Sequence, residues 1–107
     1  MQFTHLIAEI QIEPWFSKNL RKAAEDLNKR IAAQHAARRQ YDELVAKARA
    51  ADVDLFDVAN AVSYPAHREM YLQCLQSELR LRKALEVFDN QRHGEMMAER
   101  ERAHQAY

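Results

Sequence analysis

Glycine and proline are nearly missing from this chain. One Gly and two Pro among 107 residues compare with an ordinary glycine usage of roughly 7%. Tight turns and sheet corners need residues that accept positive φ or fix a bend, so few of either can form. A glycine-rich phosphate loop is excluded for the same reason. A single cysteine, Cys74, cannot close an internal disulfide, which suits a reducing compartment and a cytoplasmic location. No apolar run approaches the ~20 residues of a membrane span, and Met1 to Ser17 lacks the basic-then-apolar order of a secretory signal. Charge of one sign is also missing, with 16 basic and 16 acidic residues.

Ala, Leu, Glu, Gln, Lys and Arg fill the space, and all are good helix formers. The expected fold is all-α, in one domain of ordinary size. Residues 1–13 read as an arm or short helix, with Phe3, Leu6, Ile7 and Ile10 to bury against the main body. Pro14 suits a helical first turn, so a long helix is expected over 14–51, about 55 Å in length. Its apolar line runs Leu20, Ala24, Leu27, Ile31, then breaks at Gln34 and Arg38 before Tyr41, Val45 and Ala48. Asp52 or Asp54 can cap a short helix over 54–62. Pro65 then opens a second long helix, 65–106, with Met70, Tyr71, Cys74, Leu75, Leu81, Leu85 and Phe88 on one broad side, and Leu72 and Leu79 along a flanking edge.

Gly94, after Arg92 and His93, has the local signature of a helix end. Folding the two rods antiparallel about the joint places residue i near residue 117 − i, and Trp15, Phe16 and Leu20 then need cover from residues beyond 94. The second helix is therefore expected to continue, with Gly94 as the place for a kink. The same register puts Arg38 beside Glu78 inside the seam, a charge pair able to fix alignment. The whole reads as a long antiparallel helical hairpin with a short connecting helix and an N-terminal arm. Dimerisation into a four-helix bundle would cover its wide apolar sides.

The chemistry-bearing residues do not converge. Of five histidines, only His104 has a carboxylate at helical metal-ligand spacing, Glu101, so solvated histidines outweigh a metal site and no cofactor is expected. Cys74 lies on an apolar side, where a thiol is usually inert. No enzyme active site is visible. The first rod carries nine Lys or Arg against four acids over residues 18–50. Lys22, Lys29, Arg30, Arg38 and Arg39 could follow a phosphate backbone, which makes nucleic-acid association the alternative reading. Acids interleave, however, and a solvated charged face explains them as well. The leading expectation is a non-enzymatic protein-interaction module: an adaptor, chaperone-like binder or inhibitor. Its contact residues would be Trp15, Phe16, Met96 and Met97 at the open end, and Leu55, Phe56 and Asp57 at the joint.

Overall fold

The computed structural model describes residues 7–60 and 62–105. Phe3 and Leu6 lie outside the described residues, as does Ala61 in the joint. Two long helices dominate, α1 over Lys18–Ala50 and α2 over Ala66–Gln105, and no strand occurs among the described residues. They pack antiparallel into a hairpin of 70 × 21 × 17 Å.

The first helix begins four residues later than Pro14 suggested. Glu13 to Phe16 form a turn closed by the Phe16 N–H donating to the Glu13 carbonyl at 3.1 Å, with Pro14 at the second turn position its fixed φ favours. Ser17 is the N-cap, its hydroxyl oxygen accepting from the Leu20 N–H at 3.0 Å. This satisfies one of the donors a helix start leaves unpaired.

At the other end, Val53 N–H bonds to the Ala48 carbonyl at 2.9 Å and Asp52 N–H to that of Arg49 at 3.1 Å. Asp52 holds φ at +55°. The pair of bonds and the left-handed residue form a Schellman stop. Asp fills the place usually given to Gly, at the modest strain Asp tolerates. Asp52 thus ends α1 rather than capping a new helix. The expected short helix over 54–62 shrinks to one 3₁₀ turn, Val58–Asn60. Asp54 and Asp57 accept bonds from the N–H groups two residues on, at 3.0 Å each. These local turns satisfy the backbone without a helical turn to spare.

Residues 7–13 settle as an extended arm. His35 Nε2 meets the Ile7 carbonyl at 2.9 Å, and the Asn28 side chain bonds both backbone groups of Ile10, at 2.7 and 3.0 Å. Three arm residues therefore match seven residues of α1. Extended chain covers about 10 Å in three residues and a helix about 10 Å in seven, so the spacing requires an extended segment running opposite to α1. Ile7, Ile10 and Ile12 lie against the core.

That core occupies only half of the hairpin. Leu20, Ala24, Leu27 and Ile31 face Leu81, Ala84 and Phe88, with Phe16 closing the end. Beyond Ile31 the buried seam turns polar: Gln34 and Tyr41 on α1, with His67, Cys74 and Glu78 on α2. The Tyr41 hydroxyl and His67 Nε2 are 3.1 Å apart. Burial raises the Tyr41 hydroxyl pKa, helped by Tyr71. Burial likewise raises that of the Cys74 thiol, with Arg38 acting against it, and the thiol donates to the Ala37 carbonyl at 3.4 Å.

The register differs from 117 − i. Tyr41 meets His67 and Tyr71, Ala37 meets Cys74, and Ser17 meets Glu95. Residue i therefore lies near residue 110 − i, a slip of about two helical turns, or roughly 10 Å. The joint explains the slip, because it folds back beside α1 and sets Phe56 against His67 and Tyr71 of α2. Near the middle of the seam, Glu78 pairs with Arg82 at 3.3 Å and Arg38 with Asp42 at 3.9 Å, each one turn along its own helix.

Candidate protein-docking surfaces

The slipped register lets α2 run past the start of α1, and a cleft opens at the overhang. Its volume is about 660 Å³, and Trp15, Ser17, Glu95, Met96, Glu99 and Arg100 are among its walls. Trp15 is 59% exposed and stands edge-on to Phe16, ring centres 4.7 Å apart. Phe16 is buried and its ring faces Phe88. The two aromatic neighbours have separate jobs: Phe16 anchors the turn in the core, and Trp15 is left to solvent.

Met96, about half exposed, also lines the cleft. Met97, equally exposed, points away from the cleft. A helix turns 100° per residue, which carries Met97 off the wall that Met96 lines. The four open-end residues thus divide into a pair lining the cleft, one core residue and one residue of the outer face.

Glu95 fixes the floor. It accepts hydrogen bonds from the Ser17 hydroxyl, from Gln91 and from the Ser17 backbone N–H, which hold its carboxyl below the usual range. The carboxylate sits at the start of α1, where the helix dipole also favours negative charge. On the rim, Glu99 pairs with Arg102 at 2.8 Å. Sequence reasoning did not reach Ser17, Glu95, Glu99, Arg100 or Arg102. The N-cap preference of Ser17 was the available signal; the others depend on the register.

At the joint, Leu55 is half-buried, while Phe56 is 69% exposed and packs edge-on to His67 at 4.9 Å. Asp57 is exposed, with one oxygen occupied by the Ala59 N–H. A shallow groove of about 480 Å³ runs here between Val45, Ala48, Leu55 and Phe56. On the basic side of α1, Lys22, Lys29 and Arg39 are exposed. Arg30 and Arg38 are engaged with Asp26 and Asp42, each at 3.9 Å. Those acids place negative charge along any phosphate track.

Among the described residues, no group of three or more His, Cys, Asp or Glu side chains is arranged to hold a metal. No helix among the described residues is long and apolar enough to cross a membrane. No protein-family model, curated protein or solved structure matches this chain.

Proposed function

We propose that this protein is a small, non-enzymatic interaction module that engages another protein through the cleft at its open end. One observation carries the reading: an exposed Trp15 and an exposed Met96 line one cleft together with charged residues Glu95, Glu99, Arg100 and Arg102. Protein interfaces have this anatomy, an apolar or aromatic anchor ringed by polar groups, and Trp and Arg are over-represented among the residues that dominate binding energy. Met adapts to irregular partners. The fitting occupant is an apolar side chain of a partner segment, with a carboxylate of that segment placed to meet Arg100.

Affinity capture from the native cell tests this, using the unaltered chain beside Trp15→Ala/Met96→Ala and Arg100→Glu. Both replaced sets are exposed, so the helical circular dichroism spectrum should hold. The expected result is a protein retained by the parent and lost from both variants. Identical captures from all three, or none from the parent, overturn the assignment.

A further inference from the structure

The outer face of α2 is a second surface, independent of the cleft. His67, Cys74, Leu81 and Phe88 face α1. On the opposite side Leu72, Leu79, Val87 and Met97 are 45, 63, 54 and 47% exposed. They form a band about 37 Å long. The described part of the arm does not serve this band, because Ile7, Ile10 and Ile12 pack against the core. The surface totals 8388 Å², about a third above the ~6,200 Å² of a compact chain of this mass. That excess is larger than the ~800 Å² each partner gives to a standard interface.

We propose that a second copy of this chain covers the band, its α2 antiparallel to the first about a two-fold axis between Ala84 and Leu85. Charge order selects this arrangement. Residue i then lies level with residue 169 − i, so Leu72 meets Met97, Leu79 meets Asn90, Lys83 meets Glu86, and Arg68 meets Glu101. Every pair occurs twice by symmetry. Each of these pairs is apolar, oppositely charged, or a leucine against a neutral amide, while Val87 lies level with Arg82 at the flank of the band.

A parallel pairing sets Lys83 against Lys83 and Glu86 against Glu86. Moving the axis by half a heptad towards the joint leaves the Lys83 ammonium against Leu79. Neither keeps the charges matched, and like charges brought together at an interface are strongly unfavourable. The assembly is a flat row of four helices, α1–α2–α2–α1, rather than a closed bundle. The two open-end clefts sit at opposite ends of the row and both stay free.

Sedimentation equilibrium with charge exchange tests the arrangement. The unaltered chain should show twice its 12.6 kDa mass. Leu79→Glu, at an exposed position, should give the monomer with unchanged helix content. Lys83→Glu sets four acids together and should weaken association by about tenfold or more. Adding Glu86→Lys to it re-forms both pairs reversed and should restore the dimer. A monomer at every concentration, or a dimer indifferent to Leu79→Glu and Lys83→Glu, overturns the proposal. Failure of the double exchange to recover what Lys83→Glu loses overturns the register and its axis.

Discussion

Asn28 holds the arm with both ends of its amide, the oxygen accepting from the Ile10 N–H and the nitrogen donating to the Ile10 carbonyl. The side chain thereby imitates a neighbouring strand for one residue. Asn28→Ala deletes both bonds and leaves two part-buried backbone groups unpaired. At about 0.5–1.5 kcal/mol for each bond, the loss should be about 1–3 kcal/mol. A lower urea midpoint at constant slope is the expected readout, and an unchanged midpoint shows that the arm is held by its isoleucines alone. This role was illegible in the sequence, where an Asn inside a helix registers only as a mild propensity penalty. Its meaning depends on a segment eighteen residues away. Trp15 and Phe16 were equally ambiguous. Nothing local says which ring turns inward, and the turn closed on Glu13 decides it.

At the scale of elements, both long helices were legible. The 4-3-4 spacing of Leu20, Ala24, Leu27 and Ile31 is one buried stripe, and strong helix formers fill the gaps. Gly94 is the instructive case, because its neighbours announce an end and α2 nevertheless runs to Gln105. A β-carbon at that position meets nothing within 4 Å. Gly94→Ala should therefore stabilise by up to about 1 kcal/mol and raise the melting temperature by about 4–8 °C. A lower melting temperature means that the chain uses the freedom of Gly94.

The joint was the least legible element. Asp is a common cap at a helix start, and only the φ of +55° at Asp52 shows it closing the preceding helix. From that reversal follows the register, and from the register the cleft. That stop hides most of the candidate site in the sequence, which offers Trp15, Phe16, Met96 and Met97 together as open-end contact residues.

The whole molecule is stable by halves. The apolar half, from Phe16 to Ile31 against Leu81 to Phe88, is also covered by the arm. In the other half Gln34, His67 and Glu78 are buried, and Gln34 Oε1 is buried without a hydrogen-bond partner. Buried polar groups cost free energy that apolar ones return. Native-state hydrogen exchange should show residues 20–31 of α1 opening last and residues 38–50 sooner. Equal protection along α1 contradicts a divided core. The sequence shows the polar break at Gln34 plainly; the arm over the other half, which sharpens the contrast, depends on contacts far apart in the chain.

The 33 residues of α1, about 50 Å of helix, also separate the acidic tip at Asp52, Asp54 and Asp57 from the cleft at the other end. Charges in physiological salt are screened over about 8 Å, so neither end can sense the other's charge. The two ends are therefore electrostatically independent, and what joins them is the packed seam in which Gln34 and Glu78 are buried.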